Sequence, residues 1–237
     1  MTARVAGFRA RHRTLLLAAL TMVSGCTDAI SYLGLGHVFP ANMTGNTVLL
    51  GIGLATADPG AATRSATALG AFLVGAAAVG AALPQRVGRG ALHAVLGVEA
   101  VLLAALCGGW LAAGAGHPAG AVRYALIGLA GATMGVQSAV VRTLGVPVAT
   151  TYITGTWTAL SAGVGARLRR RPDDRDDRSL AVQAVVVVTY LGTACGAALA
   201  YTRIAGAATL LPLGLVLLVH VVAGARRPDA AGLSSRD

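Results

Sequence analysis

The chain reads as an all-α polytopic membrane protein, and three observations lead there. Hydrophobic residues make up 55 % of its 237 positions, glycine fills another 32, and only 12 % are charged. That is about half the ~25 % charge of a soluble domain, too little to cover a water-exposed surface. The apolar residues gather in runs near the ~20 residues that a helical span needs. The sequence also repeats itself at an offset of 110 positions, which calls for two related halves. A mean hydropathy of +0.70 agrees, and no length is left over for a soluble catalytic domain.

Residues 1–13 form a basic N-terminus expected to be cytoplasmic, with Arg4, Arg9, Arg11 and Arg13. The first apolar run, 14–36, opens like a signal segment, and Val23-Ser24-Gly25-Cys26 has the form of a lipobox. The run continues past Cys26 to Leu35, so it is expected to stay as a first span. Further long runs lie at 62–84, 91–114, 121–142, 180–201 and 205–224. Two shorter ones, 43–56 and 153–166, each follow a polar stretch. Residues 167–178, with six arginines among acids, are expected as a solvated cytoplasmic loop, and 225–237 as a disordered cytoplasmic tail. All of 14–224 is then one membrane domain, with repeat 1 over about 14–114 and repeat 2 over about 121–224.

Gly25, Ala29, Thr44-Gly45, Leu50 and Gly53 match Gly135, Ala139, Thr154-Gly155, Leu160 and Gly163 at the 110-residue offset. If the short runs are re-entrant half-helices, each half crosses three times and the repeats are inverted. If they cross, the chain has eight spans in parallel repeats. A stretch of 13 residues makes about 20 Å of helix, short of the ~30 Å hydrocarbon core. The expected architecture is therefore six transmembrane helices plus two half-helices, with eight spans as the alternative. All nineteen basic residues are arginines. They fall in short clusters between apolar runs, the pattern of the positive-inside rule and not of nucleic-acid binding.

The polar breaks carry the strongest local signal. Phe39-Pro40-Ala41-Asn42-Met43-Thr44-Gly45-Asn46 puts a missing donor, a flexible joint and three polar side chains before an apolar run. Non-helical backbone at membrane depth is tolerated only where protein or a cavity surrounds it. Thr151, Thr154, Gly155 and Thr156 repeat the pattern in the second half. Two half-helix N-termini near the midplane would favour a polar or anionic ligand. The candidate solute-binding residues are thus Asn42, Thr44, Gly45, Asn46, Gln137, Ser138, Thr151, Thr154, Gly155 and Thr156. Acids inside spans are costly and default to functional candidates. Asp28 and Glu99 are the two here, read as proton-coupling groups, Asp28 first. Cys26, Cys107 and Cys195 fit no disulfide or metal pattern. No metal, cofactor or enzymatic constellation is legible, and close packing accounts for Gly131-x-x-x-Gly135 and Gly192-x-x-x-Gly196.

Gly25-x-x-Asp28-Ala29, Phe39-x-x-Asn42-Met43-Thr44-Gly45-Asn46, Met134-Gly135-Val136-Gln137-Ser138-Ala139 and Thr151-x-x-Thr154-Gly155-Thr156 resemble the YoaK family. The resemblance covers about 14–224. It implies a multi-pass bacterial inner-membrane protein with about six spans, and it brings no substrate. Ser138 departs from the Asn expected after the Gln. The residues themselves point to a secondary transporter or permease for a small polar or anionic solute. A channel for a small solute, or a non-transport assembly protein, are the alternatives. The lipid bilayer is the expected surrounding, and a homo-oligomer is left open.

Overall fold

A computed structural model describes residues 2–83, 89–114, 116–143, 153–168 and 174–224. Eight α-helices lie among them, and no strand. They are α1 (Thr2–Gly34), α2 (Met43–Ala55), α3 (Pro59–Ala82), α4 (Arg89–Ala112), α5 (Gly120–Thr143), α6 (Ile153–Leu168), α7 (Asp174–Ile204) and α8 (Leu210–Gly224). A 3₁₀ turn, Ala205–Thr209, separates the last two. Five stretches are long and apolar enough to span a membrane, the last covering α7 and α8 together as Leu180–Val222. The chain is a multi-pass membrane protein.

Two expected boundaries move. The basic N-terminus is already helical from Thr2, so α1 runs on beyond its apolar stretch. The expected loop 167–178 is shorter, because α6 reaches Leu168 and α7 begins at Asp174. Pro172 just before α7 and Asp174, Asp176 and Asp177 in its first turns suit a helix start, where the dipole favours acids. The tail 225–237 lies outside the described residues.

Four helices, α1, α5, α4 and α8, close a ring in which each touches the next. Outside it, α3 packs on α5 and α7 on α1, while α2 leans on α3 and α6 on α7. The core is layered. Leu17, Leu20, Leu96, Val141 and Val219 form one cluster. Val23, Ile30, Leu103, Trp110, Met134 and Val216 belong to a second and larger one. Passing from the first cluster to the second, α1 and α4 run forward while α5 and α8 run backward. So α1 is antiparallel to α5, and α4 to α8.

The closest crossings fall on glycine. A Cβ on Gly135 would strike the Phe72 carbonyl and Ala76 backbone of α3. A Cβ on Gly25 would strike the Tyr190 carbonyl and approach the Ala194 backbone of α7. The α2–α3 crossing sets Gly53 against Ala62, and the α6–α7 crossing sets Gly163 against Leu180. Helices approach this closely in lipid where small residues let backbones meet.

Candidate functional site

The break after α1 is built from the end of that helix. Gly36 takes a left-handed φ of 89°, and the His37 N–H returns to the Tyr32 carbonyl at 3.0 Å. This stops the helix as a glycine C-cap does. The chain then turns back along α1. Leu35, Val38 and Ala41 are all buried, and the Phe39 ring stacks on Tyr32 at 4.8 Å. The Ala41 N–H donates to Asp28 Oδ1 at 2.7 Å. Asp28 sits six residues before Gly34, so the chain has come back about 9 Å along the helix axis.

α2 starts at that depth. Asn42 caps it, its Oδ1 accepting from the Gly45 N–H at 3.1 Å. Asn46 is fully buried and clamps the break. Its Oδ1 accepts from the Phe39 N–H at 3.0 Å, and its Nδ2 donates to the Phe39 carbonyl at 2.6 Å. Buried backbone polar groups need such partners. From Asp28's level the 13 residues of α2 climb about 20 Å. α3 begins after a short turn, and Arg64 Nε donates to the Gly36 carbonyl at 2.9 Å. The start of α3 therefore lies beside the end of α1, on the side the chain had left.

Asp28 is 3 % exposed, and both its oxygens are engaged. Tyr190 of α7 donates its hydroxyl to Oδ2 at 2.6 Å. Tyr190 was not foreseen as a site residue. A tyrosine in the middle of an apolar helix was the available signal.

The second-half candidates are placed differently. Thr154 and Gly155 are exposed and Thr156 is buried; Thr151 lies outside the described residues. The Ser138 hydroxyl is enclosed and without a hydrogen-bond partner. α2 and α6 lie on opposite flanks, and their bodies do not pack face to face. In the first half, Thr44 is exposed, and a Cβ on Gly45 would press on the Phe39 ring.

A second polar group lies in the ring of four. Gln137 of α5 donates from Nε2 to the Leu20 carbonyl at 3.0 Å and to Ser24 Oγ at 2.7 Å. Gln137 and Glu99 are each 1 % exposed. The bonds of Ser24 and Gln137 were not legible from spacing, since they join residues 113 positions apart. No group of three or more metal-ligating side chains occurs among the described residues.

A bundle of long apolar helices, a polar break folded back against α1, and buried acids within the bundle define a polytopic membrane protein with an internal polar site. Residues 16–223 match the family described as "Protein of unknown function (DUF1275)". The chain is 31 % identical over 186 residues to the UPF0700 transmembrane protein YoaK of Bacillus subtilis (strain 168). That alignment covers 76 % of this chain and 80 % of the relative. The chain belongs to this family, as the sequence resemblance implied. No solved structure matches it.

Proposed function

We propose that the chain is a secondary transporter or permease for a small polar or anionic solute, built from two inverted repeats. The observation that carries the reading is the equivalence of the two halves' contacts. Exchanging α1–α4 for α5–α8 turns the α3–α5 contact into α7–α1, α2–α3 into α6–α7, and α4–α5 into α8–α1. The equivalence extends to residues. The pairs Gly135–Phe72 and Gly25–Tyr190 correspond, as do Gly53–Ala62 and Gly163–Leu180. The corresponding helices α1 and α5 are antiparallel. This favours three crossings per half over four, because eight crossing helices would leave α1 and α5 parallel. The return of α2 to the end of α1 supports a half-helix that enters and leaves on one side. Inverted repeats around polar helix breaks are a common transporter architecture. The filled ring interior, with Trp110, Met134 and Leu103 all buried, favours a gated carrier over an open channel.

On this topology sixteen of the nineteen arginines lie on the side of the N-terminus, and only Arg64, Arg123 and Arg203 lie opposite. By the positive-inside rule both termini face the cytoplasm, in a bacterial inner membrane. Asp28 serves mainly to hold the break in place, since both its oxygens have donors. Among the described residues, Glu99 is the acid within the spans that has an enclosed oxygen without a partner.

Two experiments test the reading. A single cysteine at Ala119, in a chain otherwise free of cysteine, should react with an impermeant thiol reagent in intact cells. Labelling only after lysis would overturn the inverted arrangement. Proteoliposomes in isosmotic ammonium nitrate or phosphate should swell faster than protein-free liposomes, with a rate that saturates in at least one salt. A rate linear in concentration would mean a channel, and no faster swelling in either salt would remove the transport reading for anions.

A further inference from the structure

We propose that Glu99 and Gln137 hold one exchangeable monovalent cation, a sodium ion or a proton, in a polar layer at the middle of the bundle. Its use in coupling rests on the transport reading, while its binding does not.

The placement follows from the two hydrophobic clusters. Glu99 lies on α4 between Leu96 of the first cluster and Leu103 of the second. Gln137 lies on α5 between Val141 of the first and Met134 of the second. α4 and α5 pack together, so both side chains occupy the boundary between the clusters. Ser24 of α1 joins them through its bond to Gln137.

Counting protons shows what the layer lacks. Gln137 spends its amide protons on the Leu20 carbonyl and Ser24 Oγ. A carbonyl can only accept, so the amide orientation is fixed and Oε1 points elsewhere. Ser24 donates to the Leu20 carbonyl, Thr27 to Val23 and Thr133 to Leu129. Every one of these protons goes to backbone. Glu99 Oε1 and Gln137 Oε1 are both enclosed and without a partner, and neither the unbonded Ser138 hydroxyl nor His220 Nδ1 bonds to them. Buried acceptors with no donor among them are costly, and one positive charge placed between them satisfies both.

Among the described residues, no side chain bonds to either oxygen to supply that charge. Arg64 and Arg123 are tied to the Gly36 and Pro118 carbonyls at the far end of the bundle. Along α5, the described titratable side chains are Arg123, Tyr124 and Arg142; the nearest, Arg142, lies five residues from Gln137 and is exposed. On α1, Asp28 lies one turn beyond Ser24 with both oxygens occupied. On α8, His220 packs near Gly97 and meets His93 edge to face at 5.4 Å, a turn away from Glu99. Carboxylate, amide and hydroxyl oxygens are hard ligands suited to hard cations, and a single carboxylate balances one charge. The exchange is Glu99–COOH plus Na⁺ giving Glu99–COO⁻·Na⁺ plus H⁺.

The test uses the full-length protein in detergent, with sodium chloride against choline chloride at equal ionic strength as the probe. Sodium should raise the unfolding midpoint, and its half-effective concentration should rise about tenfold per unit fall in pH while the proton competes. Gln137→Leu should weaken sodium about tenfold, and Glu99→Gln should abolish its effect. If only the proton occupies the site, sodium is inert. A protonated-carboxyl C=O stretch should then appear in the infrared spectrum, titrate with pH, and vanish in Glu99→Gln. Neither a sodium effect nor such a band in the wild-type protein would overturn the site, a result that needs no variant to fold. Sodium binding without flux in proteoliposomes supports the site and ends the transport reading for anions. Flux with neither signal overturns the site alone.

Discussion

The two breaks are alike in sequence pattern, but the described residues at their corresponding positions differ in chemistry. In the first half Asp28 receives the Ala41 N–H and the Tyr190 hydroxyl, and Asn46 pairs both backbone groups of Phe39. The positions that correspond to Asp28, Tyr190 and Asn46 carry Ser138, Phe72 and Thr156. Phe72 has no hydroxyl to give, and the Ser138 hydroxyl has no hydrogen-bond partner. The shared fold of the halves therefore lives in the glycine crossings, which both keep, and not in the clamp. The first break spends its polar groups on its own backbone, while the Ser138 hydroxyl stays enclosed and unbonded.

The largest effects should come from what the halves share. Gly135→Val and Gly25→Val each force a side chain into the backbone of a partner helix. Overpacking of this kind costs about 1–3 kcal/mol, more where backbone must move. Both variants should lose the monodisperse peak in size-exclusion chromatography. Survival of one alone would show that the two crossings are not equivalent. Asn46→Ala comes next. It strands the N–H and C=O of Phe39, at about 1–3 kcal/mol for each buried group, and should lower the unfolding midpoint sharply. Thr156→Ala, at the matching position, should cost less.

Tyr190→Phe gives α7 the residue that α3 carries at the corresponding position, Phe72. It removes one hydrogen bond to a carboxyl group, worth about 1.5–3 kcal/mol if that group is charged. The midpoint should fall by less than for Asn46→Ala. No change would mean that the backbone N–H groups of Ala41 and Asn42 are enough to hold Asp28. Ser138→Ala should have the smallest effect, neutral or slightly stabilising, because it deletes a buried hydroxyl that bonds to nothing. A clear loss of stability would show that Ser138 has a partner after all.

Much of the architecture was legible in the chain. Apolar run length located the helices, and the 110-residue offset paired α1 with α5 and α2 with α6. The third helices escaped that offset. Phe72 and Ala62 correspond in contact to Tyr190 and Leu180, 118 positions on, because the charged segment before α7 adds residues to the second half. A single offset therefore hid Tyr190 from view. The candidate list mixed two kinds of residue. Asn42 and Asn46 look like ligand groups by composition, yet they cap and clamp, since a break inside a bundle must satisfy its own backbone first. Gln137 and Glu99 could be singled out, but their shared layer depends on how α4 and α5 are packed. Spacing along one chain does not encode that. The start of α7 at Asp174 was missed because charge density was read as solvation, when acids after a proline also open helices.

Each half's first helix packs on the other half's third: α1 on α7, and α5 on α3. During synthesis α1 and α3 thus enter the bilayer without their main partners. The Gly25 groove stays open to lipid until α7 is made, some 150 residues later. The first half cannot mature before the second arrives. Severing the chain between α4 and α5 should give two fragments that are each unstable yet combine when made together. On the proposed inverted topology, a lone first half would complete itself only by meeting a copy inserted upside down.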